Sequence, residues 1–398
     1  MTTIEKNGGG AMRFIHTSDL HLGKTIRQQS LLDDQRDMLA QLLRVVKEEK
    51  PDAVLIAGDL YDMPVPSTEA VRLLDDFLHQ LTVDLKTPVL AIAGNHDGAE
   101  RLRFGNRLMK SIGYHINGNI QEAFTPVALE DEHGPVEIFL LPFAHVGRVR
   151  DYYQLEETPS YEKAYGLMLD HIKEVRNPEA RCVVVAHAFV TPGGVEMDME
   201  TDAERPFPSI GGVEQVPAEL FQSFDYVALG HLHRSMSAGQ PHIRYAGSPL
   251  KYSIREEHHE KGFLIVDMDA EGQVEVREIP VVPVKDVRTV TGNMKDILQM
   301  PMSEDYVYVH LLDQEKVPDA MARIRSVFPY ALHVTRAKGY HPFLQQHGAK
   351  EDISEKKPME IIESFFKSVC GESPDEEATR ILAEAWEEAG NYAEGDEA

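Results

Sequence analysis

The sequence predicts an α/β fold, and two observations lead to it. Apolar runs of strand length recur between Met12 and about Val284, at 14–15, 53–57, 89–93, 183–185 and 226–229, with helical stretches between them. Each run is followed at once by a short polar cluster: Asp19-Leu20-His21, Gly58-Asp59-Leu60-Tyr61-Asp62, Gly94-Asn95-His96-Asp97, Ala186-His187 and Gly230-His231-Leu232-His233. Polar groups placed just past strand ends converge on one edge of a sheet, where α/β proteins hold their active sites.

The elements follow in order. Residues 1–11 are polar and Gly-rich, with no apolar core, and are expected to be a flexible leader. Residues 66–81 and 101–112 are the helix candidates among the early strands, and 242–247, 262–269 and 274–282 read as strands closing a domain that spans 12–284. The pattern then changes. Strands at 287–290 and 306–312, a helix at 319–328 and a strand at 331–336 make a small α+β domain, 285–340. A polar linker, 341–357, precedes a helix pair in 358–398 that ends in an acidic tail. In that pair Met359, Ile362, Phe365, Phe366 and Val369 recur at helical spacing up to Gly371. Ser373, Pro374 and Glu376 suit N-cap, N1 and N3 of the second helix, whose apolar face is Ala378, Ile381, Leu382, Ala385, Trp386 and Ala389. Apolar stripes set off behind a charged linker are expected to dock on another protein.

Composition narrows the class. No apolar run approaches the ~18 residues of a membrane span. Cys182 and Cys370 lie far apart and read as buried reduced thiols, which fits the cytoplasm. The net charge is −26; residues 371–398 hold ten acids and one arginine, which leaves −17 on the rest. That balance argues against tight DNA binding by this chain unaided, not against phosphodiester chemistry. No G-x-x-x-x-G-K-[ST] loop is present, so any ATP dependence comes from elsewhere.

The clusters carry metal chemistry. Two ligand side chains two residues apart on a chain leaving a strand can point the same way, a spacing that Asp19 with His21 and His231 with His233 both show. Mixed oxygen and nitrogen donors suit Mn²⁺, with Fe²⁺ or Zn²⁺ as rivals, better than an all-oxygen Mg²⁺ site. Two such ions would act as Lewis acids and could lower the pKa of a water between them.

The ordered set D-x-H, G-D-x-x-D, G-N-H-D, H, G-H-x-H resembles the calcineurin-like metallophosphoesterases. Longer stretches, 12–24, 224–234, 244–250 and 260–263, are similar to the SbcD branch of that family, the nuclease subunits of bacterial SbcCD complexes. The resemblance spans about residues 12–390. It implies two mixed β-sheets flanked by helices, a capping domain at 285–340, and a C-terminal helix pair that grips the coiled coil of an SbcC-like SMC-type ATPase. It places Asp19, His21, Asp59 and His233 on one ion, and Asp59, Asn95, His187 and His231 on the other, with Asp59 bridging. His96 then contacts the phosphate and the leaving oxygen, and Asp97 is expected to hold the His96 imidazole; Asp62 orients a ligand or caps a helix. The implied activity is exonuclease on duplex ends and endonuclease on single strands or hairpins, in DNA repair, recombination and replication, by a cytoplasmic, nucleoid-associated homodimer joined through 66–81 and 101–112.

Lys24, Arg27, Arg101, Arg103, Arg148, Arg150, Arg234 and Lys251 flank the motifs and are candidate phosphate contacts. Residues 193–212 separate two clusters and are expected to loop over the cleft. His145, His242, His258 and His259 read as structural or surface residues. Two rival functions use the same residues: a phosphoesterase for small molecules or phosphoproteins, and a subunit that mainly binds DNA ends.

Overall fold

The computed structural model describes residues 3–5, 11–192, 215–336, 373–375 and 378–382. Contacts divide the chain into one unit of Met1–His310 with Pro318–Thr335 and another of Leu311–Val317 with Arg336–Ala398.

The first unit is built on two mixed sheets. In one, β1 (Met12–Thr17), β2 (Ala53–Ile56) and β3 (Val89–Ile92) run parallel, followed by Tyr114–Asn117. Gly262–Met268 pairs antiparallel with β1 and with the edge strand Val274–Pro280. In the other, β4 (Arg181–His187) and β5 (Tyr226–Gly230) run parallel at the centre, between Gly134–Leu141 and Ile243–Tyr245. Both sheets carry antiparallel edges, as the resemblance implied.

Alternation along the strands explains the layers. Phe14, Leu55, Leu90, Val183, Val185, Tyr226 and Ala228 point between the sheets and form one core. Their neighbours Ile15, Val54, Ile56 and Val89 point outward into a second core with α1 (Leu32–Glu49) and α2 (Thr68–His79). On the far side Val184, Val227 and Leu229 meet Tyr165, Met168 and Ile172 of α3 (Tyr161–Val175). Strands buried on both faces read as unbroken apolar runs, which is why they were legible. Each fully buried Val, Leu or Phe contributes about 1.5–3 kcal/mol.

Several expectations are corrected. Residues 101–112 are not one helix: Ala99–Leu102, Asn106–Met109 and a tight turn at Lys110–Ile112 are broken at Gly105, where φ is +75°. The 66–81 helix starts at Thr68, capped by Ser67 Oγ accepting from the Ala70 N–H at 3.2 Å, and ends in a wide turn at Gln80–Asp84. Helix 319–328 shortens to Ala320–Ile324. Within the expected leader, Thr3–Glu5 pairs as a parallel edge strand with residues 128–130. The strands Val287–Gly292, Tyr306–Leu311 and Ala331–Arg336 form a three-stranded sheet in chain order. In the second unit, Asp375 Oδ1 accepts from the Ala378 N–H at 2.8 Å. The 193–212 loop, the linker, Cys370 and the first helix of the terminal pair lie outside the described residues. Among the described residues no helix is long and apolar enough to cross a membrane.

Candidate metal centre

Asp19 and His21 follow β1, Asp59 follows β2 and Asn95 follows β3; His187 ends β4, while His231 and His233 follow β5. The clusters therefore leave two facing sheets at one common end, rather than the edge of one sheet. The turns that bring them together are strained. Asp19, His21 and Asp59 sit at φ of 52°, 43° and 52°, and His231 at 104°. Each such residue costs of order 1–3 kcal/mol, tolerated where surrounding structure over-determines it. Gly58 has φ +90°, and a Cβ there would collide with the His187 ring; a Cβ on Gly94 would strike the Asp59 carboxylate.

All seven expected ligands meet in one place. Ligand atoms of Asp19, His21 and His233 cluster within 4.8 Å of one another, as do those of Asp19, Asp59 and His187. His21 Nε2 is 3.7 Å from Asp59 Oδ2, and His187 Nε2 is 3.4 Å from the same oxygen. Asn95 Oδ1 lies 2.8 Å from His187 Nε2 and 3.3 Å from His231 Nδ1. A third group, His21, Asp59 and His96, overlaps them, and the Asp59 carboxylate stands between His21 and His187.

The donor set fits cations. His187 Nδ1 faces the Ala57 carbonyl at 2.8 Å, so it carries the proton and donates. Its Nε2 lone pair then faces only oxygens, from Asn95 and Asp59. His233 Nδ1 likewise donates to Glu256 Oε1 at 3.0 Å, leaving its Nε2 opposite His21 Nε2 at 3.2 Å. Acceptors facing acceptors in a buried site repel unless a cation lies among them. Without metal a proton takes that place: burial opposes charge on His187, but Asp59 beside it raises its pKa to about 9. Burial, together with the nearby His187 charge, drives His231 down to about 3.

His96 and Asp97 divide differently from expectation. His96 Nδ1 lies 3.0 Å from the Asp62 main-chain oxygen, not at the Asp97 carboxylate. Asp97 instead accepts from the N–H groups of Leu60, Tyr61 and Gly94, at 3.1, 2.9 and 2.9 Å. It ties the loops after β2 and β3 together, and burial beside Asp59 pushes its pKa up to about 7. The Asp62 carboxylate stands 3.4 Å from His21 Nδ1 and 2.8 Å from Lys24 Nζ, which favours orientation of a ligand over helix capping.

Of the basic candidates, Arg101 and Arg148 line a cleft of about 460 Å³ together with Asn95. Lys24, Arg103, Arg150 and Lys251 are held by Asp62, Glu100, Asp151 and Asp286. Arg27 and Arg234 are exposed. His258 is exposed and His145 caps the helix Val146–Tyr153, so both are surface or structural groups. Cys182 is buried, and burial pushes its thiol up to about 12.

Sequence reasoning missed Glu256, which is fully buried and accepts from His233 and from Lys261 Nζ at 2.6 Å. It also missed Tyr165, whose hydroxyl donates to the His187 carbonyl at 2.9 Å. Neither carries a local pattern; the sole signal for Glu256 is its place between two matching stretches.

Residues 12–235 match the calcineurin-like phosphoesterase family, and residues 283–369 match the family described as the type 5 capsule protein repressor C-terminal domain. The SbcD subunit of nuclease SbcCD from Staphylococcus epidermidis is 31% identical over 362 residues, covering 90% of this chain and 93% of that protein. Its namesake from Staphylococcus saprophyticus is 30% identical over 365 residues, covering 91% and 94%. Among solved structures, a dimetal phosphatase from Danio rerio shares 12% identity at a TM-score of 0.41, covering 69% of this chain and 97% of that one. Family membership rests on the sequence matches: the chain belongs to the SbcD family of calcineurin-like phosphoesterases.

Proposed function

We propose that the chain is the nuclease subunit of an SbcCD-type complex, a phosphodiesterase that cuts DNA ends and hairpins with two divalent ions, manganese by preference. The observation that carries the metal reading is His187 Nε2, a buried acceptor facing only oxygens. Asp19, His21, Asp59 and His233 would hold one ion, and Asp59, Asn95, His187 and His231 the other. When bound, the pair supplies Lewis acidity toward the phosphate and activates water. The chain's own residues do the positioning. Hydrogen bonding of His96 Nδ1 to the Asp62 carbonyl leaves Nε2 as the atom available to a phosphate or leaving oxygen. Asp97 holds the loop that carries both Asn95 and His96.

DNA as substrate is supported by the relatives, named as nuclease subunits and aligned over nine-tenths of the chain. Their name, that of one subunit of SbcCD, also supports a partner of the SbcC class; the helix pair in 358–398 would grip that ATPase, and 285–340 would be the capping domain. A homodimer through 66–81 and 101–112 is supported by exposed apolar side chains there: Val71, Phe104, Leu108 and Ile112.

The test is Mn²⁺-dependent cleavage of an end-labelled hairpin duplex beside a small diester, bis(p-nitrophenyl) phosphate, with and without the ATPase and ATP. Cleavage of the hairpin is expected, and Asp59→Asn should lower it by more than about 100-fold, the upper range for losing even an outer partner of a ligand. Full activity in Asp59→Asn would overturn the metal centre; a diester or phosphoprotein cut in preference to DNA would overturn the substrate.

A further inference from the structure

In a chain of net charge −26, an arginine left without a carboxylate is conspicuous. Near the metal centre the structure pairs Lys24 with Asp62, Arg103 with Glu100 and Arg150 with Asp151. Arg101 and Arg148 are both exposed on the cleft that holds Asn95, and neither has an ion-pair partner among the described residues. The two exposed acids on the nearby walls, Glu100 and Asp151, are engaged by Arg103 and Arg150. Asp97, the third acid there, is buried and taken by backbone N–H groups. The cleft lining therefore keeps two guanidinium groups that no carboxylate among the described residues holds.

The cleft does not stop at the metal centre. A second hollow, of about 350 Å³, shares Glu100, Phe143 and Arg148 with it and continues past Asn119 to Tyr152. Phe143 stands at the junction: its N–H donates to the Ala93 carbonyl at 2.9 Å, and its ring meets His187 edge-on at 6.4 Å. Both Phe143 and Tyr152 are half-buried and line the hollow, and Tyr152 also packs beside Phe124 and Tyr153 with ring centroids 5.7 and 4.9 Å apart. A positive groove with interleaved aromatic faces is how single strands are held without sequence preference.

We propose that these two hollows form one track for a single nucleic-acid strand, with Arg101 and Arg148 on phosphates flanking the scissile one and Phe143 and Tyr152 against its bases or sugars. The proposal rests on the nuclease reading of the metal centre and deepens it: the site is built for a strand several nucleotides long, not for a mononucleotide or cyclic diester.

The experiment compares Arg101→Ala, Arg148→Ala and the double variant of the full chain, in Mn²⁺, on an end-labelled single strand of thirty thymidines and on bis(p-nitrophenyl) phosphate. Arg36→Ala, which removes an exposed arginine paired with Asp33 on α1, is the control. For each cleft arginine, KM for the strand should rise about tenfold with kcat within about twofold, and the slope of log KM against log salt should fall by about 0.7. The loss should be confined to the strand, with diester hydrolysis and Mn²⁺ binding shifted less than about twofold. An unchanged KM and salt slope in the double variant would overturn the track. An equal loss on the diester would overturn it too, by placing the arginines in the metal centre itself. If the wild-type chain hydrolyses the diester but leaves DNA intact, the nuclease reading fails first, and visibly so.

Discussion

Glu256 illustrates what a single side chain does behind the metal centre. Its carboxylate accepts from His233 Nδ1, which aims the opposite ring nitrogen at His21, and it neutralises the buried Lys261 ammonium. Glu256→Gln keeps an acceptor for His233 but removes the charge opposite Lys261. Mn²⁺ affinity should fall by about 10–100-fold, as for other outer partners of ligating histidines. Stability should fall by about 3–5 kcal/mol, as when one partner of a buried ion pair is lost. Titration calorimetry and urea unfolding read the two effects separately; unchanged Mn²⁺ affinity would mean that Glu256 serves Lys261 alone. The seven expected ligands could be named from residue type and from the ordered set that resembles the family; the structure adds that they meet in one place. Glu256 could not be named, because its partner lies 23 residues away and only packing joins them. The same limit explains Asp97, whose neighbour in sequence is His96 but whose hydrogen bonds go to Leu60 and Tyr61.

At the scale of elements, β1 ties one sheet to the other. Phe14 and His16 share its inner face, and His16 spans the gap between the sheets: Nδ1 meets Tyr226 Oη at 2.9 Å and Nε2 meets the Leu229 carbonyl at 3.2 Å. Burial lowers the His16 pKa to about 3. An unfolded histidine takes a proton below about 6.5. Between those values the unfolded chain binds more protons, so stability present at neutral pH is lost as pH falls from about 6.5 toward 3. His16→Gln should flatten that part of the urea midpoint against pH; an unchanged slope would remove His16 from the account. The strands were read from the sequence because alternation and apolar length are local properties. The helices were read less well. Gly105 breaks 101–112 at a positive φ, and α1 went unmarked although Met38, Leu42 and Val46 trace an apolar stripe on it.

For the whole molecule, the apolar surface around the broken 99–112 segment sets the expectation. Phe104 is 84% exposed and Leu108 79%, far more than side chains of that size need be on a finished surface. Phe104→Glu with Leu108→Glu should convert a dimer to a monomer by light scattering while leaving Mn²⁺ affinity unmoved. A variant that stays dimeric would place the dimer contact elsewhere, and a wild-type chain that is monomeric at micromolar concentration would overturn the homodimer.

Residue type and spacing by themselves determined that strands end in metal-binding groups and that the fold is α/β; phosphoester hydrolysis came from the family that the ordered set resembles. The first two follow from neighbours in sequence, which period and composition expose. Only the tertiary structure decided that the groups leave two facing sheets, that Glu256 and the Asp62 carbonyl stand behind His233 and His96, and which arginines stay unpaired beside Asn95. Those outcomes depend on which distant segments pack together, and the free energy that selects them belongs to the buried interface between the sheets rather than to any stretch of chain.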